Sequence, residues 1–108
     1  MRYKVLLTGS AARDLEELDG YITENDSPAA ADHVLGKIEE AVAVLSEFPG
    51  RGTYPQELSS LGVREYREVF FKPYRIVYRV SKQTVYVYLI ADGRRNMEVL
   101  LNRRLLDR

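Results

Sequence analysis

A short apolar segment and a longer periodic one open the chain. Residues 3–8 are rich in residues that favour strands and stop at Gly9, which predicts one β-strand. From Ala11 to Ile22, apolar residues recur three or four positions apart between charged ones, a spacing typical of an amphipathic helix. We expect Ser10 to be the N-cap of this helix, since its hydroxyl can accept a hydrogen bond from a free amide of the first turn.

A second helical stripe follows after a short break. Ser27 and Pro28 form a typical helix start, because the serine can cap the helix and the proline has no amide to leave unpaired. Apolar residues then repeat at helical spacing until Phe48, where the following proline disfavours further helix. Few residues separate the two stripes, so the pattern predicts an antiparallel helical hairpin whose apolar faces pack on a sheet.

The second half of the chain changes to strand-like patterns. Residues 51–62 contain several Gly, Pro and Ser and predict a long loop. Residues 63–71, 74–80 and 84–90 are dense in Val, Ile, Tyr and Phe, and their short connections predict a three-strand antiparallel meander. Residues 94–104 suit a short C-terminal helix. The predicted fold class is therefore α+β, with an N-terminal strand and a helical hairpin packed on a mainly antiparallel sheet.

Length and composition limit the classes of protein to which the chain can belong. With 108 residues, of which 45% are hydrophobic and 30% are charged, we expect one globular domain over residues 1–108. The absence of Cys and the single histidine, His33, exclude disulfides, thiolate metal sites and an all-histidine metal site, so we expect no metal and no cofactor. No apolar run is long enough to cross a membrane, which predicts a cytoplasmic protein without a membrane partner.

A net charge of zero conceals a division between the two parts of the chain. Residues 1–60 carry 5 basic and 11 acidic side chains, whereas residues 61–108 carry 11 basic and 5 acidic ones. This asymmetry indicates an anionic partner that meets the C-terminal part, unless the two parts simply complement each other when folded. Composition alone leaves both alternatives open.

The predicted strand at residues 74–80 carries arginines on one face. Alternation assigns its side chains to two opposite faces: Tyr74, Ile76, Tyr78 and Val80 on one, and Arg75, Val77 and Arg79 on the other. If the first face packs on the hairpin, the arginines lie on an uncovered face, where Arg94 and Arg95 can join them in a cluster that suits phosphate or carboxylate groups. The alternative is a solvated face whose arginines pair with Glu65, Glu68 or Glu98.

Tyrosines are the other candidate binding residues. Six of the eight lie from residue 54 onwards: Tyr54, Tyr66, Tyr74, Tyr78, Tyr86 and Tyr88. Tyrosine rings beside arginines can stack nucleic-acid bases or line an interface, although tyrosine is also a common strand residue that packs in cores. There is no phosphate-binding glycine loop, no Ser-His-Asp set and no metal-ligand spacing in the sequence, which argues against a small-molecule enzyme.

Several motifs, in order along the chain, resemble those of the RelE/ParE family of type II toxin–antitoxin toxins. The resemblance covers essentially the whole chain, and the segments that carry it are Leu7-Thr8, Ala11-Ala12, Asp14-Leu15-Glu16, Ala30-Ala31, Phe48-Pro49-Gly50-Arg51-Gly52, Val63-Arg64-Glu65-Tyr66-Arg67, Tyr74-Arg75-Ile76-Val77-Tyr78-Arg79-Val80 and Asp92-Gly93-Arg94-Arg95-Asn96-Met97. The resemblance implies a cognate antitoxin, ParD-like or another DNA-binding antitoxin. The flexible C-terminal segment of that antitoxin would fold onto the toxin, and its N-terminal part would bind operator DNA.

The resemblance implies one of two activities. RelE-like members cut mRNA in the ribosomal A site with basic residues on the sheet, whereas ParE-like members block DNA gyrase without a hydrolytic site. Arg75 and Arg95 match arginines of the nuclease, and Arg67 can serve for one of its two lysines, whereas the other lysine position falls at Glu68 or Val69. Leu101 replaces the late tyrosine of the nuclease, which leaves Tyr86 or Tyr88 as a substitute. Arginines can stabilise a phosphorane but cannot activate a 2′-hydroxyl, so the ParE-like activity is favoured.

The ParE-like interpretation predicts a protein that acts by binding rather than by catalysis. DNA gyrase, or the DNA that it holds, is then the partner of the basic part of the chain, with the ribosome and its mRNA as the alternative. The predicted partner-binding residues are Arg75, Arg79, Arg94, Arg95, Met97, Arg103 and Arg104. A member of the family that is not toxic and only supports repression by its antitoxin is a third alternative.

Overall fold

A four-stranded sheet forms the centre of the protein in a computed structural model that describes residues 2–106. The elements follow in the order β1 (Lys4–Leu7), α1 (Gly9–Asn25), α2 (Pro28–Val44), α3 (Gln56–Ser59), β2 (Arg67–Phe71), β3 (Tyr74–Ser81), β4 (Thr84–Asp92) and α4 (Met97–Leu101), with a π-helical turn at Asn102–Leu106. The strand order is β1-β4-β3-β2; β1 pairs with β4 in parallel, and the other neighbours are antiparallel. This arrangement confirms the α+β class and the three-strand meander.

Local capping explains where the two long helices begin. Thr8 is the N-cap of α1, and its hydroxyl accepts a hydrogen bond from the Ala11 amide at 3.2 Å. The prediction that Ser10 caps this helix was wrong, because β1 ends immediately before Thr8 and Ser10 already lies inside the helix. Ser27 caps α2 as predicted, and Pro28 is its first residue.

The helical hairpin covers one face of the sheet and makes the first hydrophobic core. Ala11 of α1 and Ile38 of α2 are fully buried there. The strands contribute Ile76, Tyr78, Val85, Val87 and Ile90 to the same core. The predicted position of Ile76 and Tyr78 on the hairpin side is confirmed, and the burial of each large apolar side chain stabilises the fold by about 1.5–3 kcal/mol.

The opposite face of the sheet is also covered, so the prediction that it stays open was wrong. The elements α3 and α4, together with the segment before β2, pack on it and form a second core of Leu58, Tyr66, Val77, Leu89, Ala91, Met97 and Leu101. The Tyr66 ring meets the Tyr88 ring edge-on, with 5.6 Å between centroids. This face carries Val77 and Leu89 beside its arginines, and both are buried. Because the removal of such apolar side chains from water is favourable, the neighbouring short segments pack over them.

Departures from the predicted element boundaries belong to this second core. β4 contains one extra residue, Tyr88, because Val77 pairs with Leu89 while Tyr78 pairs with Val87. β2 begins at Arg67 rather than at residue 63, since the residues before it cross the second face instead of pairing with β3. The loop predicted over residues 51–62 contains α3, and the helix predicted over residues 94–104 is divided into α4 and the π-helical turn. No helix within residues 2–106 is long and apolar enough to cross a membrane.

Candidate functional site

Arg75 lies on β3, but two carboxylates enclose its side chain. Its Nη1 and Nη2 donate hydrogen bonds to the two carboxylate oxygens of Glu57 at 2.8 and 2.7 Å, and its Nε donates to Glu68 at 2.7 Å. Only 13% of the Arg75 side chain and 6% of the Glu68 side chain are exposed. The prediction that Arg75 lies on an uncovered face was therefore wrong, whereas the alternative pairing with Glu68 is confirmed.

Three neighbouring elements bring this ion cluster together. Phe70 of β2 pairs directly with Arg75, so Glu68 stands two residues away on the same face, a diagonal that long side chains span. Glu57 comes from α3, which lies within the predicted loop, so nothing in the sequence pattern pointed to it. Gly93 passes so close to the cluster that a Cβ there would lie 2.7 Å from the Arg75 Cδ. The turn after β4 thus leaves just enough room for the arginine.

The three charged groups of the cluster have shifted proton affinities. Hydrogen bonds from Arg75 lower the pKa of Glu57. Burial raises the pKa of Glu68, although this carboxylate also accepts a hydrogen bond from Arg75. Hydrogen bonds to Glu57, together with the one to Glu68, raise the pKa of Arg75 further above its ordinary value. Because two carboxylates share one guanidinium, the cluster carries no excess positive charge that an anionic ligand could use.

Arg67 is also engaged by internal hydrogen bonds. Its Nη1 donates to the Gly52 carbonyl oxygen at 2.8 Å, and its Nη2 donates to the Tyr54 hydroxyl at 3.1 Å. The Gly52 amide donates to the Tyr78 hydroxyl at 3.0 Å, and that hydroxyl donates to the Pro49 carbonyl oxygen at 2.6 Å. Burial raises the pKa of Tyr78, so this phenol keeps its proton. Arg67 and Tyr78 therefore hold the loop that precedes α3.

The arginines at the end of β4 are exposed, unlike Arg75. Arg94 contacts Asp92 through its Nη2 at 2.6 Å, and hydrogen bonds from Arg94 lower the pKa of Asp92. Arg95 is exposed and forms no ion pair with any residue between 2 and 106. On β3, Arg79 lies 3.4 Å from Glu65 with both side chains largely exposed, which confirms the alternative of a solvated pair there.

The C-terminal segment is fixed by an ion pair to α1. Arg104 donates from Nη1 and Nη2 to the two oxygens of Asp14 at 2.9 and 3.0 Å, and also from Nη1 to the Tyr88 carbonyl oxygen at 2.7 Å. Asp14 in turn accepts a hydrogen bond from the Ile90 amide at 2.9 Å. β1 pairs with β4 only as far as Val87. The ion pair therefore provides hydrogen-bond partners for backbone groups of β4 that have no β1 residue beside them. Asp14 belongs to a segment that carries the family resemblance, but nothing in the sequence indicated that it pairs with Arg104. The neighbouring Arg103 is exposed.

Met97 of the predicted partner-binding set and Leu101, at the position of the late tyrosine, are buried in the second core. Met97 is 4% exposed and Leu101 is fully buried, so both side chains pack against the sheet and neither is part of the exposed surface. Leu101 occupies the position of the late tyrosine expected in a nuclease, and it offers no group for proton transfer. Among the residues that the structure describes, no three His, Cys, Asp or Glu side chains could hold a metal ion together.

A groove of about 550 Å³ lies between α1 and the ends of β3 and β4. Apolar side chains such as Leu18 and Ile22 of α1 line it, together with Tyr74 of β3. Arg94 and Arg95 stand at the same groove. The other charged residues of its lining are Asp14, Glu17, Asp26 and Asp92, so the groove presents charges of both signs beside its apolar floor. Apolar side chains and nearby arginines suit an extended or helical peptide that carries apolar anchors and a carboxylate opposite Arg95.

This architecture is also found in chains of two solved toxin–antitoxin structures. It is similar to a chain of the chromosomal ParDE TA system from P. aeruginosa, with a TM-score of 0.71 and 21% identity over 84% of this chain and 96% of that chain. It is also similar to a chain of the toxin–antitoxin complex RelBE2 from Mycobacterium tuberculosis, with a TM-score of 0.59 and 24% identity over 85% of this chain and 99% of that chain. At these identities the likeness establishes the fold.

The sequence itself defines the family. Residues 5–97 match the model of the family described as ParE toxin of type II toxin-antitoxin system, parDE, and the chain belongs to this family. Toxin ParE3 of Caulobacter vibrioides is 29% identical over 101 residues, which cover 94% of this chain and 97% of that protein. The Sinorhizobium fredii protein Y4kP is 36% identical over 81 residues, 75% of this chain and 79% of that protein. The resemblance to RelE/ParE toxins is thereby confirmed.

Proposed function

We propose that this toxin arrests growth by inhibiting DNA gyrase and that a cognate antitoxin neutralises it. The observation that carries the proposal is the enclosure of Arg75 between Glu57 and Glu68. A ribosome-dependent nuclease of this fold would need basic groups on the sheet that are free to meet RNA phosphate. Here the central arginine is already neutralised, which favours an activity that depends on binding alone.

The other nuclease positions support the same conclusion. Arg67 gives two of its donors to Gly52 and Tyr54, and Leu101 is buried where the nuclease needs a proton-transfer group. Arg95 is the one member of the predicted catalytic set that is exposed and free of ion pairs within residues 2–106. Arg67 and Arg95 could stabilise developing charge on phosphorus, but a guanidinium stays protonated and therefore cannot activate a 2′-hydroxyl as a base.

The arginines of the predicted set that reach the surface are the best candidates for contact with gyrase or with the DNA that it holds. They are the exposed Arg94, Arg95 and Arg103 and the half-buried Arg79. Arg75, Met97 and Arg104 then support that surface from inside, because each is tied to the sheet or to α1. Charged groups at the edge of an interface speed association and fix orientation more than they add affinity.

The groove between α1 and the end of β4 suits the antitoxin. A ParD-like or other DNA-binding antitoxin would place apolar anchors of its C-terminal segment on Leu18 and Ile22 and carboxylates against Arg94 and Arg95. Operator DNA would be bound through the antitoxin. This arrangement explains neutralisation directly, since the antitoxin would cover arginines proposed to meet gyrase. The complex would act in the cytoplasm, where gyrase and its DNA are found.

A supercoiling assay with purified toxin and DNA gyrase tests the proposal. We expect the toxin to inhibit supercoiling and the antitoxin to restore it. Hydrogen bonds to charged groups contribute about 1.5–3 kcal/mol each, so the variant with both Arg94→Ala and Arg95→Ala should need at least about tenfold more toxin for half inhibition. Arg13→Ala, which removes an exposed arginine of α1, is the control and should inhibit like the original chain.

A message-cleavage assay with programmed ribosomes distinguishes the alternative activity. RelE-like cleavage of mRNA in the A site, with gyrase unaffected at the same toxin concentration, would contradict the proposal. Arg95→Ala should abolish such cleavage if this arginine serves a nuclease. An effect on neither target, in a folded chain that still binds the antitoxin, would favour the non-toxic member that only supports repression.

A further inference from the structure

An arginine–tyrosine surface lies where the loop before α3 meets the start of β2. It consists of Arg51, Tyr54, Arg64 and Arg67 and is called here the Tyr54 patch. The guanidinium carbon of Arg67 lies 4.6 Å from the centroid of the Tyr54 ring, and that of Arg64 lies 5.6 Å from it. Both distances fall within the range of cation–π contacts. None of these residues lines the groove assigned above to the antitoxin.

The Tyr54 patch is ordered before any ligand arrives. Arg67 is held by hydrogen bonds to the Gly52 carbonyl oxygen and the Tyr54 hydroxyl. Arg51 precedes Gly52, whose amide donates to the buried Tyr78 hydroxyl, so the backbone that carries Arg51 is fixed as well. An arginine that is already immobilised loses little conformational entropy when it binds a ligand.

The patch keeps its positive charge because the nearby carboxylates are used elsewhere. Residues 51–81 contain three acidic side chains: Glu57, Glu65 and Glu68. Glu57 and Glu68 both pair with Arg75, and Glu65 pairs with Arg79. Within residues 2–106, the three arginines of the patch form no ion pair. Arg64 and Arg67 lie over the Tyr54 ring, and Arg51 is exposed on the adjoining loop, so their unpaired positive charge is available to an anion.

We infer that the Tyr54 patch binds the backbone phosphates of duplex DNA. Guanidinium groups recognise phosphate through paired N–H donors, and Arg67 retains donors beyond the two that it uses internally. Single-stranded nucleic acid usually needs an open aromatic face for base stacking, but two guanidinium groups already lie over the Tyr54 ring.

A peptide partner fits the patch less well. The depression beside it measures about 310 Å³ and is lined by Arg51, Thr53 and Phe70 among others. Phe70 is the one exposed large apolar side chain in that lining, where a bound peptide would need several apolar contacts. Binding to phosphates requires no such pocket, and most contacts of proteins with a DNA backbone come from side chains of this type.

Fluorescence anisotropy with a labelled duplex of mixed sequence tests the inference without gyrase, so the result does not depend on the proposed function. Arg51→Ala and Arg64→Ala should each weaken binding about eightfold at about 0.1 M salt and lower the slope of log affinity against log salt by about 0.9. Tyr54→Leu should weaken binding while the slope stays unchanged, because it removes the ordering of the arginines and no charge. Arg13→Ala is the control for charge and should leave affinity within about twofold.

Three results would overturn the assignment. The first is unchanged affinity in Arg51→Ala and Arg64→Ala, measured with variants whose thermal unfolding matches that of the original chain. The second is a loss in Phe70→Ala as large as that in the arginine variants, which would indicate a peptide groove. The third is tighter binding of single-stranded RNA than of the duplex at equal salt concentration.

Discussion

The two faces of the sheet are covered in different ways. On the hairpin side, two helices of 17 residues each present regular apolar stripes to the strands. On the other side, the short helices α3 and α4 and the segment before β2 cover the sheet, and ion pairs join Glu57 of α3 and Arg104 of the C-terminal turn to neighbouring elements. Apolar contacts are exchangeable among similar side chains, whereas a buried ion cluster depends on each of its members.

This contrast has a consequence for function. In the proposed function, the residues that the chain presents to its target belong to the second face, to the turn after β4 and to the C-terminal segment. Their positions depend on Glu57, Glu68 and Asp14, none of which contacts a target in the proposed function. Loss of toxicity after mutation of an arginine can therefore arise from a displaced surface rather than from a missing contact.

The largest expected effect is that of Arg75→Ala. Removal of this guanidinium leaves Glu57 and Glu68 close together, the second of them buried, and a buried charge without its partner typically costs about 3–5 kcal/mol of stability. Urea unfolding followed by circular dichroism measures the loss. Arg79→Ala is the matched control on the same strand, because its exposed pair with Glu65 contributes at most about 1 kcal/mol.

Equal losses for Arg75→Ala and Arg79→Ala would contradict the described role of the ion cluster. A third variant, with Arg75→Met and Glu68→Leu together, separates charge from packing. We expect it to recover part of the stability lost in Arg75→Ala, since apolar residues of similar volume often replace buried ion pairs without loss.

The second largest loss of stability is expected for Gly52→Ala. A Cβ at this position would lie 2.6 Å from the Tyr78 hydroxyl and 2.8 Å from the Glu68 carbonyl oxygen, so the loop must shift and its hydrogen bond to Tyr78 must lengthen. Overpacking of this kind costs about 1–3 kcal/mol, to be measured as a lower free energy of unfolding. Gly50→Ala is the control two residues earlier, with no atom within 4 Å of the added Cβ, and it should stay within about 0.5 kcal/mol.

The pH dependence of stability sharpens the comparison further. The pKa of Glu68 is raised by burial in the folded protein, so the folded state takes up a proton before the unfolded chain does as the pH falls from neutral. Stability should therefore rise in that window relative to Glu68→Gln. At lower pH the order reverses, because Arg75 holds the pKa of Glu57 below its ordinary value and the unfolded chain binds protons first.

Urea unfolding at a series of pH values, from neutral to below the ordinary pKa of glutamate, measures both the expected rise in stability and the fall at lower pH. A constant difference between the original chain and Glu68→Gln over that range would show that Glu68 titrates normally. Such a result would mean that the cluster is open to water, and the contrast between the two faces would be smaller than the structure indicates.

The same contrast explains what the sequence could and could not predict. The hairpin and the meander follow from periodicity, which local residues such as Ser27 and Pro28 reinforce. Periodicity could not predict the elements that cover the second face. α3 has only four residues, and Glu57 pairs with Arg75, which lies 18 positions later in the sequence. Alternation along β3 placed Arg75 on the correct face, but no local pattern could show that two carboxylates would enclose it there.

The smallest predicted effect is a gain on the hairpin side. Gly20 lies inside α1, no atom stands within 4 Å of a Cβ built there, and alanine favours the helix by about 0.8–1 kcal/mol over glycine. Gly20→Ala should therefore raise the free energy of unfolding by about that amount. The same substitution at Gly93 should lower it, since the added Cβ would meet the Arg75 side chain at 2.7 Å. Opposite signs for one chemical change would show that regular packing governs one face and the placement of a single charged side chain governs the other.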